Sequence, residues 1–145
     1  MDNLEKIIAI LFAVLAGIST TLEAFVNGEL GEQTTPMIAT FLSLVVGSIF
    51  FLITMFITGD IKAFFTLDKI TPKFLLGGIF GGCIIFFTVK AVAHLGLSKT
   101  LTIIVISQII LGFAIDIFIL NIQEIHLYKF IGIFMLISGT FFILS

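Results

Sequence analysis

The chain has 145 residues, 59% of them hydrophobic and 11% charged, with a mean hydropathy of +1.30 and a formal net charge of −2. An ordinary soluble domain carries about 25% charged residues, so this chain cannot cover a water-facing surface and lipid must do the covering. There is no arginine, which removes a nucleic-acid footprint. The lone Cys83, set in an apolar run, cannot form an internal disulfide, and metal and redox motifs are missing.

A bilayer-spanning helix needs about 20 mostly apolar residues, roughly 30 Å at 1.5 Å per residue. Five segments qualify, at about 7–28, 37–58, 73–95, 98–121 and 127–144, with short connections between them. The expected fold class is an all-α membrane protein: one transmembrane domain of five helices over 1–145. The N-terminus reads as an uncleaved first span, since Asp2 and Glu5 cancel Lys6 and hydrophobicity continues towards Val26. Pro36 and Pro72 open the second and third spans, where a missing N–H costs little. The connection GDIKAFFTLDKITPK (59–73) alternates apolar and charged residues; it is either a solvated loop or a segment resting on the membrane surface.

Lysine placement predicts the orientation. Lys6, Lys62, Lys69, Lys73 and Lys129 fall on one side and Lys90 and Lys99 on the other, which puts the N-terminus inside a bacterial cytoplasmic membrane. The bias is moderate and leaves mixed insertion open.

Charges interrupt three spans. The uncharged stretches 7–22, 74–89 and 100–115 are 16 residues each, about 24 Å of helix and short of the hydrocarbon thickness. The helices are therefore expected to run on through Glu23, Lys90 and Asp116. Glu23 and Asn27 are four residues apart and share a face with Thr20. An ionisable group there is a poor choice for packing alone, so this stripe is the leading candidate for binding solute or protons; interhelical hydrogen bonding is the plainer alternative. Lys90 shares a face with His94 and falls near the outer depth of Glu23. It either pairs with that carboxylate or snorkels to the interface. Asp116 either reaches the interface or lines a pathway, and Gln108, about 80° away around the helix, reads most simply as an interhelical hydrogen-bonder.

The run GGIFGG pairs Gly77 with Gly81 and Gly78 with Gly82, and Gly132 and Gly139 repeat on one face of the fifth span; small residues at such spacings admit close helix packing. No nucleophile–base pair, phosphate loop or metal spacing appears, so no enzyme, cofactor or metal is expected.

With these residues in view, the chain resembles the drug/metabolite transporter superfamily, in its half-size five-span bacterial branch, the YdcZ-like family. The resemblance lies in GISTTLEAFVNGELG, TFLSLVVGSIFFL, AHLGLSKTLTIIVISQIILGFAID and GIFMLISGTFFILS. The family pattern has a glutamine where this chain has Glu23, then an asparagine at Asn27; its Gly-Gln corresponds to Ser107-Gln108 and its aspartate to Asp116. The first span is also similar to that of small multidrug resistance proteins, which carry a proton-titrating glutamate. The resemblance implies transport by small chains that assemble as homodimers, antiparallel ones among them, that pair with a related five-span chain, or that occur as fused two-domain forms. Lys90 departs from the pattern.

The reading that follows is a secondary active transporter of the inner membrane, exporting or exchanging a small organic solute by alternating access in a dimer of small bundles, coupled to protons through Glu23. Two other classes stay open: a small dimeric channel, and a non-transporting assembly subunit of a related membrane protein.

Overall fold

The computed structural model describes residues 3–66, 71–120 and 127–144; Lys69, used above for orientation, and residues 121–126, at the expected junction of the fourth and fifth spans, lie outside the described residues. Every regular element among the described residues is helical: α1 (Asn3–Gln33), α2 (Pro36–Thr58), the short α3 (Ile61–Phe65), a 3₁₀ turn (Pro72–Leu75), α4 (Leu76–Leu95), α5 (Leu97–Phe118) and α6 (Leu127–Leu144). Four stretches, Leu4–Gln33, Pro36–Thr58, Pro72–Leu95 and Leu97–Phe118, are long and apolar enough to cross a membrane, and the apolar part of α6 is shorter.

The helix ends follow from local chemistry. α1 runs beyond the expected 28 because nothing from Gly28 to Gln33 breaks a helix. It stops before Pro36, which pushes the preceding residue out of the helical region. Thr35 is accordingly extended (φ −144°, ψ 154°), and its side-chain oxygen accepts the Ile38 N–H at 3.2 Å, capping α2. α2 closes on Gly59, whose φ of 86° suits a residue without Cβ and whose N–H reaches the Met55 carbonyl at 3.1 Å. In the following connection the sequence left a choice; five residues are helical there, with Phe64 and Phe65 exposed. α5 ends at Phe118, short of the expected 121, where the Ile119 N–H bonds the Ile115 carbonyl at 2.9 Å.

The chain divides into two compact units, Met1–His94 and Leu95–Ser145. In the first, the helices meet through small residues. Ala24, Gly28 and Gly31 line one face of α1. A Cβ placed on Gly28 would lie 2.9 Å from Val92 Cγ1, and one placed on Gly31 would overlap Val89 Cγ1 and sit 3.9 Å from Ala39 Cβ. Gly31 therefore marks the point where α1, α2 and α4 converge. Among the described residues, Ala24, Ala39 and Val89 are the buried apolar side chains, at 3%, 0% and 1% exposure. This is how membrane helices associate: lipid tails are as apolar as leucine, so close backbone contact replaces a water-driven core. The large side chains, Phe41, Phe51 and Phe80 among them, point outward.

The GGIFGG run behaves differently from its expected use within this unit. A Cβ on Gly77, Gly78 or Gly81 would meet nothing within 4 Å, and one on Gly82 would meet only Leu44 Cδ1 at 3.3 Å. The closest approach lies at Gly28 and Gly31 instead. In the second unit α5 and α6 pack antiparallel, with Phe113 and Phe130 edge to face at 5.4 Å. Gly132 and Gly139 likewise have open space at Cβ.

Candidate functional site

The polar stripe of α1 faces α4. Thr20, Glu23 and Asn27, with Ala24, line a cleft closed on the other side by Ile84, Ile85, Thr88 and Val89; its volume is about 20 Å³, room for a single water. Helical periodicity puts these groups together. At roughly 100° per residue, Thr20, Glu23 and Asn27 fall within about 60° of one another, immediately beside the Ala24–Gly28–Gly31 seam that draws α4 in.

Each member is held differently. Asn27 is buried, and its Nδ2 donates to Ser43 Oγ on α2 at 3.1 Å, supplying the partner that a buried amide requires. The Thr20 hydroxyl donates back to the Ala16 carbonyl at 2.9 Å, so its oxygen is left as an acceptor. Glu23 is exposed, and among the described residues no cation lies within ion-pair distance of it. On its other flank Glu23 borders an open groove of about 410 Å³ between α1 and α2, walled by Leu22, Val26, Leu30, Leu42 and Val46, with Asn27 and Ser43 as its remaining polar members.

Among the described residues, Lys90 and Glu23 form no ion pair. Lys90 lies two residues beyond Thr88, about 200° around α4, and so faces away from the cleft. Its Nζ sits over the Phe86 ring, 5.2 Å from the centroid, a cation–π contact. His94, on the same face, is exposed. Gln108 and Asp116 belong to the second unit. Asp116 is half-buried in an open groove of about 440 Å³ between α5 and α6, beside Gly112 and Gly132, whereas Gln108 is exposed and outside that groove.

The structure thus brings together Thr20, Glu23 and Asn27 of the expected residues. It adds two that sequence reading passed over, Ser43 and Thr88. The signal was faint: each is a lone hydroxyl in an apolar run, FLSLVV and FFTVK, and Lys90 drew attention away from Thr88. Among the described residues no group of three His, Cys, Asp or Glu could hold a metal ion.

Residues 8–142 match the family described as "Putative inner membrane exporter, YdcZ". No curated protein and no solved structure matches the chain.

Proposed function

The chain belongs to the YdcZ family of the bacterial inner membrane, and from that premise we propose that it is a secondary carrier exporting a small organic solute against protons, with Glu23 as the coupling carboxylate. The observation that supports this most is the state of Glu23. It is placed in an apolar span, flanked by Thr20, Asn27 and Thr88, and has no cationic partner among the described residues.

A charge in a span costs up to about 2.5–3.5 kcal/mol on insertion scales, the figure for the helix centre. A carboxylate without a protein cation escapes that cost by binding a proton or by receiving a ligand that complements it. Both cannot happen at once on the same two oxygens, and that exclusion is the minimum required for exchange. The acceptors and donors of Thr20, Thr88 and Asn27 hold water beside the carboxyl group and give the proton a route onto it. Alternating access needs two halves of opposite orientation, and a five-span chain supplies one. The working unit is therefore a dimer, with a second copy or a related five-span chain.

The test uses liposomes containing the purified full chain and loaded with a defined mixture of amines, amino acids and sugars. A pH gradient is imposed and efflux is followed by mass spectrometry. The wild type exports a subset of the mixture in a gradient-dependent way. Glu23→Gln keeps its size-exclusion profile and loses the gradient-dependent component. Gradient dependence that survives in Glu23→Gln overturns the assignment.

A further inference from the structure

We infer, independently of any role for Glu23, that the groove between α5 and α6 is a lipid site. It takes a phospholipid with an ethanolamine headgroup, whose ammonium binds Asp116 and one of whose acyl chains lies along the groove beneath.

The register of the two helices sets the depth of each part. Phe113 of α5 meets Phe130 of α6 edge to face at 5.4 Å. The helices are antiparallel, so three residues on from Phe113 and three back from Phe130 put Asp116 level with the first turn of α6, where Tyr128 is 82% exposed. α5 has 22 residues, about 33 Å of helix and little more than the hydrocarbon thickness. Asp116 is two residues from its end at Phe118, so the carboxylate stands at the boundary between headgroups and hydrocarbon. From there the groove runs past Gly112 and Gly132 to Ile109 and Leu136, about 10 Å along the helix axis towards the middle of the membrane. Its volume is about 440 Å³. The two glycines make the channel: a Cβ on either would meet nothing within 4 Å.

The lining defines the ligand. Asp116 is half-buried, and among the described residues it accepts no hydrogen bond and forms no ion pair. Below it the walls are apolar: Ile109, Phe113, Ile133 and Leu136. One uncompensated charge at headgroup depth over an apolar channel is the two-part pattern of a phospholipid, and the sign of the charge selects the headgroup. Phosphatidylglycerol would set a net negative charge beside the carboxylate. A choline headgroup brings positive charge but no N–H. The ammonium of ethanolamine brings the charge and three N–H donors, and so forms a charge-assisted hydrogen bond. Tyr128 supplies an O–H at the same level for the lipid phosphate, in keeping with the place of tyrosine at membrane interfaces.

The experiment is native mass spectrometry of the full chain in detergent, with phosphatidylethanolamine, phosphatidylcholine or phosphatidylglycerol of identical acyl chains added. Lipid occupancy and chain stoichiometry are read in the same spectrum. The wild type should bind the ethanolamine lipid at least about fivefold more tightly than the glycerol lipid, with the choline lipid between them. Asp116→Asn keeps the shape, removes the charge and should bring the three lipids within about twofold of one another. Gly132→Leu fills the groove and should weaken binding of the ethanolamine lipid by at least about fivefold. Gly112→Leu fills it from the facing helix and serves if the first variant does not fold. Gly77→Leu, in open space on α4, should stay within about twofold of the wild type. Equal binding of the ethanolamine and glycerol lipids by the wild type, or a preference that survives in Asp116→Asn, overturns the headgroup. Unchanged binding in both groove variants overturns the groove as a lipid site, and a smaller dimer fraction in those same spectra gives the face to a second copy instead.

Discussion

Adding one methyl group to Gly31 should destabilise the first unit, although alanine is the better helix former. The new Cβ overlaps Val89 Cγ1 and comes within 3.9 Å of Ala39 Cβ. Neither neighbour yields readily. Val89 is 1% exposed and Ala39 0%, and a valine in a helix is nearly confined to one χ1 rotamer. Overpacking of this kind costs about 1–3 kcal/mol, and so deep an overlap belongs in the upper part of that range. Glycine to alanine in a helix returns about 1 kcal/mol. The net effect of Gly31→Ala is then a loss of about 1–2 kcal/mol. Gly77→Ala makes the same chemical change where nothing lies within 4 Å of the new atom, so only the helix term remains and the variant is neutral or more stable by up to about 1 kcal/mol. The contrast between the two variants, about 2–3 kcal/mol, is the quantity to measure, by SDS-titrated unfolding in mixed micelles followed by far-ultraviolet circular dichroism. Val89→Ala introduced beside Gly31→Ala should recover part of the loss, a coupling within the 0.5–3 kcal/mol found for residues in contact. If Gly31→Ala and Gly77→Ala unfold at the same SDS fraction, the convergence of three helices at Gly31 is refuted.

Two further outcomes follow from the site. Lys90→Gln should leave gradient-driven efflux within twofold of the wild type in the liposome assay, because the ammonium faces away from the cleft; a tenfold loss would show that Lys90 acts on Glu23 or on the solute. Ser43→Ala strands the buried amide of Asn27 and should cost about 1–3 kcal/mol, whereas the Ser43→Ala, Asn27→Leu pair should cost less than the sum of its parts; strict additivity in the same unfolding experiment would mean that the two side chains do not bond.

How much of this was legible beforehand depended on whether a feature is periodic or relational. The helices at 37–58 and 127–144 were readable nearly to the residue, since proline, glycine and hydropathy mark them locally. The stripe of Thr20, Glu23 and Asn27 was readable because three polar groups at helical spacing in an apolar span have one face to share. The closest packing was not. GGIFGG is the denser cluster of small residues, yet Gly28 and Gly31 make the close approach. A glycine only permits proximity; the shape of the opposing side chain, here Val89 and Val92, decides whether it is used. For Lys90 the sequence left two roles open, pairing with Glu23 or snorkelling to the interface. Its depth suggested Glu23 as a partner, but depth fixes one coordinate, and its angle around α4, about 200° from Thr88, turned it to the ring of Phe86.

The same geometry separates the two roles that the α1 stripe could have had. A polar group in a span can be glue, and Asn27 is: it is buried, and its amide binds Ser43 across to α2. Glu23 is not. It forms no ion pair among the described residues, and the helices around it are already held by Ala24, Gly28 and Gly31 against Val89 and Val92. Stability alone would favour leucine at position 23, since an ionisable group in a span costs up to about 2.5–3.5 kcal/mol on insertion scales and, among the described residues, Glu23 gains no ion pair in return. A residue that weakens insertion and holds nothing together is accounted for by a bound partner that comes and goes. On the function proposed above, those partners are a proton and a solute, and Glu23 borders a water-sized cleft on one flank and an open groove of about 410 Å³ on the other.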